Sequence, residues 1–189
     1  MKKTLRHWRV LSISLVFALS IISPLTINHA APLPERKIDA ARLINTIVMP
    51  DDPEAVFEGA RIVHNVTVDG EKGMRVHAKF QVKYGKGTPC MMIAYFYYDD
   101  SDNTRLKASS EADYRAYRDT KGGVSAKTRF TPAYDPAVYN DLQLFIPYDA
   151  LNMASGDTYD LKFYLSLYDS DGERSFGKSG WYKFKLTMP

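Results

Sequence analysis

Two stretches of the chain alternate apolar and polar side chains without interruption. In the first, Met74, Val76, Ala78, Phe80, Val82 and Tyr84 share one phase, and Arg75, His77, Lys79, Gln81 and Lys83 share the other. In the second, Tyr159, Leu161, Phe163, Leu165 and Leu167 alternate with Lys162, Tyr164, Ser166 and Tyr168. Side chains of an extended backbone point alternately to opposite faces, so each stretch predicts an antiparallel strand with one dry and one wet side.

Weaker versions of the pattern recur. Ile62, Val66 and Val68 share a phase in RIVHNVTV, and Asp69-Gly70 opens a turn that runs to Gly73. Gly85, Gly87 and Pro89 separate the first strong strand from CMMIAYFYY at Cys90 to Tyr98. That run is apolar or aromatic on both phases, which predicts a central strand covered on both sides. If it paired with its predecessor across the glycines, His77 would lie opposite Tyr97 and roughly 20 Å from Cys90. DDSDNTR at 99–105 is a loop, and Tyr114 and Tyr117 suit one or two helical turns. Val124, Ala126, Thr128 and Phe130 form another alternating strand, followed by a long loop, TPAYDPAVYND. Leu142 to Pro147 reads as a strand, Asp149 to Met153 as a turn or helical fragment, and Asp169-Ser170-Asp171-Gly172 as a tight turn. The last strand, Trp181 to Thr187, sets Tyr182, Phe184 and Leu186 against Trp181, Lys183, Lys185 and Thr187.

Seven or eight strands with little helix between them leave no crossover long enough for parallel pairing. The predicted fold is therefore all-β: a two-layer antiparallel β-sandwich, immunoglobulin-like in architecture, spanning 59–189. A closed barrel satisfies the same alternation.

The N-terminus follows a different rule. Lys2, Lys3, Arg6 and Arg9 precede thirteen uncharged residues, Val10 to Ile22. A positive segment followed by a short apolar one predicts an export signal over residues 1–30. Ala30 supplies a small residue before the cut, although Asn28 fits the −3 position poorly. The apolar run falls short of the about 20 residues of a membrane span, and membrane contact is expected only if the signal is not cleaved. Residues 31–58 read as a tether. KIDAARLINTIVM within it suits a short helix or an edge strand, and Asp51-Asp52-Pro53-Glu54 could cap a helical turn running to Glu58.

Charge and cysteine narrow the function classes. The chain has 25 basic and 22 acidic residues; four basic residues and no acid lie in 1–30, leaving 21 against 22. The net charge of the remainder is −1, and no long basic run predicts a nucleic-acid partner. Cys90 is the single cysteine, so no internal disulfide can form, and it reads as a buried structural thiol rather than a nucleophile.

Candidate chemistry is sparse. His64 and His77 are the only histidines beyond the signal, too few for a structural zinc site and without a paired nucleophile. Acidic residues crowd two turns, Asp99, Asp100 and Asp102 in one, Asp169, Asp171 and Glu173 in the other. Brought together, these oxygens would suit calcium, the one cofactor the pattern admits. The Asp100 loop is no EF-hand, because Arg105 takes the position where that loop requires glycine. Solvated turns explain the same residues, and a pair of the carboxylates is the remaining route to an envelope hydrolase. Tyrosine is abundant, with 13 residues. Tyr134, Tyr139 and Tyr148, in or beside loops, are the ligand-contact candidates, with corner packing as their alternative role. Tyr97, Tyr98, Tyr164 and Tyr168 read as sheet-face residues.

GMRVHAKFQV, the run from Lys86 through AYFYYDD, LFIPYDALN and LKFYLSLYD together resemble a β-sandwich accessory module found in bacterial signalling and repeat-containing proteins. The resemblance implies a binding or assembly role and no catalytic residues. The export signal departs from that pattern. The expected function is a non-enzymatic exported binding or assembly protein, periplasmic or secreted, acting through loop or sheet-edge contacts. Its partner would be an envelope or extracellular protein, or a glycan. A calcium-dependent glycan-binding module and an envelope hydrolase are the alternatives.

Overall fold

The alternating stretches form strands whose apolar phases face each other across two sheets. The computed structural model describes residues 52–169 and 174–189. The export signal, the tether as far as residue 51, and Asp171 and Glu173 lie outside the described residues. In chain order the strands are β1 (Glu54–Val68), β2 (Glu71–Lys83), β3 (Cys90–Tyr98), β4 (Ser125–Phe130), β5 (Ala137–Pro147), β6 (Thr158–Asp169), β7 (Ser175–Lys178) and β8 (Tyr182–Thr187). One sheet has the order β1-β2-β5; the other has β4-β3-β6-β7, with β8 also on β6. Every pairing is antiparallel. Two separate sheets of three and five strands make this a sandwich and not a closed barrel.

The core is the set of inward phases. Met74, Val76, Phe80 and Val82 of β2 are fully buried, as are Met92, Ala94 and Phe96 of β3 and Leu165 and Leu167 of β6. Phe80 lies 4.7 Å from Tyr139, 5.5 Å from Phe130 and 6.0 Å from Phe57, so residues of both sheets meet around one ring.

Several local expectations need correction. The first strand begins at Glu54 and not beyond Gly59, so no helical turn runs to Glu58. Asp69 and Gly70 both have positive φ and join Val68 to its partner Glu71, which closes the hairpin in two residues and not at Gly73. β5 starts at Ala137, which shortens the expected loop and extends the expected strand. β7 is a strand that periodicity did not reveal; its four residues are too few to show alternation. β2 and β3 do not pair with each other. The Gly85–Pro89 link carries the chain from one sheet to the other, and Gly87 N–H donates to the Pro132 carbonyl at 2.8 Å in the second crossing. His77 therefore faces outward from the small sheet while Cys90 faces the interior from the large one. Among the described residues no helix is long and apolar enough to cross a membrane.

Candidate binding surface

β3 and β6 lie side by side in the middle of the five-stranded sheet, with Tyr95 opposite Tyr164 and Tyr97 opposite Lys162. Their inward residues fill the core, so the outward phase is free of any packing requirement from the other sheet. It is nevertheless aromatic. Tyr95 stacks on Tyr164 with centroids 5.2 Å apart, and Tyr97 lies 5.9 Å from Tyr164. The Tyr95 and Tyr168 hydroxyls are 3.2 Å apart.

A bulge adds the fourth ring. Lys178 is opposite Ser166 and Tyr182 is opposite Phe163, so residues 179, 180 and 181 face only 164 and 165. The extra residue bends the edge. Ser179 secures the bend, its N–H donating to the Leu165 carbonyl and its hydroxyl accepting from Leu165 N–H. Trp181 consequently lands edge-on against Tyr97 and Tyr164, at 5.1 and 5.2 Å. It remains 43% exposed.

Cations frame these rings. Lys178 Nζ stands 4.3 Å from the Tyr164 ring centre, Lys162 Nζ 5.1 Å from Trp181, and the Arg105 guanidinium 5.5 Å from Tyr97. Arg105 comes from the long β3–β4 connection, which includes a single 3-10 turn at Arg115–Tyr117 and folds back over the sheet. Asp119 anchors that connection: one oxygen accepts from Arg105, the other from the N–H groups of Lys121 and Gly123. Gly123 leaves room for that guanidinium, since a Cβ would stand 2.9 Å from Arg105 Nε and displace it. Between this strap and β4 runs a groove of about 280 Å³ floored by Met91, Ile93, Tyr95 and Tyr168. It continues past Lys127 into a second hollow of about 380 Å³ beside Arg129. Burial pushes the Tyr164 phenol up to about 12 and Tyr95 higher still, helped by the Tyr168 hydroxyl, so both hydroxyls stay protonated and able to donate.

The loop tyrosines do not assemble into a site. Tyr134 is 75% exposed, but Tyr139 stacks on Phe80 and Tyr148 is buried. The Tyr148 hydroxyl accepts from Asn65 N–H at 2.9 Å, which is corner packing. Tyr148 also borders a cleft of about 500 Å³, whose Tyr114 hydroxyl already donates to Asp149.

Asp169, the described acidic residue of the second cluster, lies at the opposite end of the sheet from the Asp99 turn, whereas the calcium alternative needs the two clusters together. Cys90 is opposite Asp169 and Tyr98 is opposite Leu161, so eight residues of strand, about 27 Å, separate Asp169 from the Asp99 turn. Within the first turn, Asp99 pairs with Lys183 at 2.9 Å, Asp100 accepts from Thr104 N–H, and Asp102 meets the Ser101 hydroxyl. Asp169 caps Arg174 N–H. Among the described residues no group of three acidic, histidine or cysteine side chains could hold a metal.

Acid–base chemistry finds no support in the carboxylates that shift. Hydrogen bonds from Thr104 hold Asp100 below the usual range, and those from Gln143 and His77 do the same for Asp141. A glycosidase acid needs the opposite shift. His77 Nδ1 is 2.6 Å from Asp141, yet the groove beside them is lined by no serine, threonine or cysteine. His64 sits 6.2 Å from the Phe184 ring, and burial lowers its pKa. Cys90 is 2% exposed; burial and then Asp169 raise its thiol to about 11.

Tyr97, Tyr98, Tyr164 and Tyr168 are all sheet-face residues, the first, third and fourth on the outer face and Tyr98 on the inner one, against Tyr159 and the core. Sequence reasoning overlooked Tyr95, Trp181, Lys127 and Arg129. The available signal was the apolar content of CMMIAYFYY on both phases, which required a second covered or functional face. No protein-family model matches the chain, and no curated protein matches it.

Proposed function

We propose that this chain is an exported, non-enzymatic binding protein that engages its partner through the outer face of the five-stranded sheet. One observation carries the reading: four aromatic rings cluster on a face that the core does not need, with Trp181 43% exposed at its edge. Aromatic side chains give broad contact area at low entropic cost, and a sheet holds them rigidly. The resemblance to an accessory sandwich module supports a role without catalysis, and the positive and apolar N-terminal segments support export. The contact then lies on the sheet face, displacing the loop tyrosines and sheet edges as its seat.

A glycan array probed with the full chain tests this. Binding should be lost in Trp181→Ala and kept in Tyr134→Ala. Binding that survives Trp181→Ala and disappears in Tyr134→Ala would return the contact to the loops. Export is checked separately by mass spectrometry of the protein recovered outside the cytoplasm, where an N-terminus at Ala31 is expected.

A further inference from the structure

The outward charges of the five-stranded sheet are one-sided. Strand register places Lys127 and Arg129 of β4, Lys162 of β6, Lys178 of β7, and Lys183 and Lys185 of β8 on the outer face. Asp160 of β6, and Asp99 just past the end of β3, are the acidic residues among them. Of these six cations Lys183 pairs with Asp99 and Lys185 with Asp160, and Lys162 is buried with its Nζ on the Asp100 carbonyl, which leaves Lys127, Arg129 and Lys178 unneutralised among the described residues, on a chain whose residues 31–189 carry −1 in total. Lys127 and Arg129 are exposed, and neither has an ion-pair partner among the described residues.

From this juxtaposition we infer that the face takes an anionic polysaccharide, its sugar rings on the aromatic cluster and its carboxylates or sulfates toward Lys127, Arg129 and Lys178. The inference rests on the binding role proposed above. Four strands lie side by side across the face, about 14 Å at the usual spacing, enough for a short run of sugars. The groove beside Tyr95 supplies what a sugar hydroxyl needs: the Tyr95 and Tyr168 hydroxyls, each able to donate and accept, lie over an apolar floor of Met91 and Ile93. Convergent cations add attraction that salt weakens. Single-stranded nucleic acid shares the negative charge and stacks on rings. An exported protein does not ordinarily meet it, and a pair of hydroxyls that both donate and accept matches a polyol better than a base edge.

The test uses the full chain carrying Trp8→Phe, which makes Trp181 the sole tryptophan and its emission a reporter of the face. It is titrated with polygalacturonate, neutral dextran and an oligodeoxythymidylate. Polygalacturonate should give a saturable change, with dextran and the oligonucleotide each weaker by about tenfold or more. Lys127→Glu with Arg129→Glu should weaken polygalacturonate about tenfold while leaving the melting temperature unchanged, because both side chains are exposed. Equal binding of dextran overturns the charge assignment and leaves the aromatic face standing as a binding surface. An oligonucleotide bound as tightly as polygalacturonate overturns the sugar assignment. A Trp181 shift that follows protein concentration alone, with dimers in sedimentation, overturns it in favour of a second copy of this chain. No response to any ligand overturns this inference, and the binding role beneath it then stands or falls by the glycan array and its Trp181→Ala control.

Discussion

Replacing Phe80 with alanine should be among the most damaging single changes to this fold. The ring is fully buried and touches Phe57 of β1, Phe130 of β4 and Tyr139 of β5. Three rings fixed on three strands cannot close over the space, so the cavity term remains along with the lost transfer energy. Phenylalanine-to-alanine changes in such sites cost about 3–5 kcal/mol. With a urea slope of about 2 kcal/mol per molar, a loss of about 4 kcal/mol lowers the midpoint by about 2 M. Far-ultraviolet circular dichroism in urea reads the shift, and Tyr134→Ala, at 75% exposure, is the control expected within about 0.5 kcal/mol. The double variant with Tyr139→Ala should lose less than the sum, by about 0.5–1.5 kcal/mol for a stacked pair. A Phe80→Ala midpoint no lower than that of Tyr134→Ala would refute this account of the core.

Other consequences are open to measurement. Asp119→Ala removes the acceptor for Arg105 and for two backbone N–H groups and should cost about 2 kcal/mol, with faster hydrogen exchange across 119–124 than in wild type. Stability should be flat from neutral pH to about 9 and then fall toward 11 in alkaline denaturation. The raised Cys90 thiol binds its proton more tightly folded than unfolded, so its contribution is complete below the unfolded value and is lost as pH rises. The same thiol should resist an aromatic disulfide reagent at pH 8 until denaturant is added, and prompt reaction of the native chain would contradict its burial. Calcium or a chelator should leave the melting temperature unchanged, because Asp99 is taken by Lys183 and Asp169, which accepts from Arg174 N–H, stands about 27 Å away along the sheet; a calcium-dependent rise would count against that separation.

The alternation of 74–83 and 159–168 was enough to fix two strands and their faces and, with the absence of crossovers, antiparallel pairing; it left sandwich and barrel open, and Tyr84, read on the dry face, lies past the end of β2 and is exposed. Partner choice was not legible. Nothing in Gly85 to Pro89 distinguishes a hairpin from a crossing between sheets, because glycine and proline permit both. Met74 to Val82 would bury the same way in either case. The binding surface was half visible. Tyr97, Tyr164 and Tyr168 follow from phase, but Trp181 joins them only through a bulge, and a bulge depends on which residues oppose which. The tyrosines beside loops misdirected attention for the same reason: exposure of a loop residue is set by the corner it packs into, as Tyr148 shows against the backbone of Asn65.

The interruption at 179–181 has an effect on how these molecules can meet one another. Along that side of the large sheet, β7 and β8 present runs of four and six residues separated by a kink, so an incoming strand finds no long flat template to extend. β4, on the opposite side, is also six residues long, and the fifteen residues of β1 are broken by two register shifts. The large sheet thus has little margin along which copies can zip into fibrils, and a longer edge, the eleven residues of β5, belongs to the small sheet. The kink that turns Trp181 outward also helps to keep the chain from polymerising.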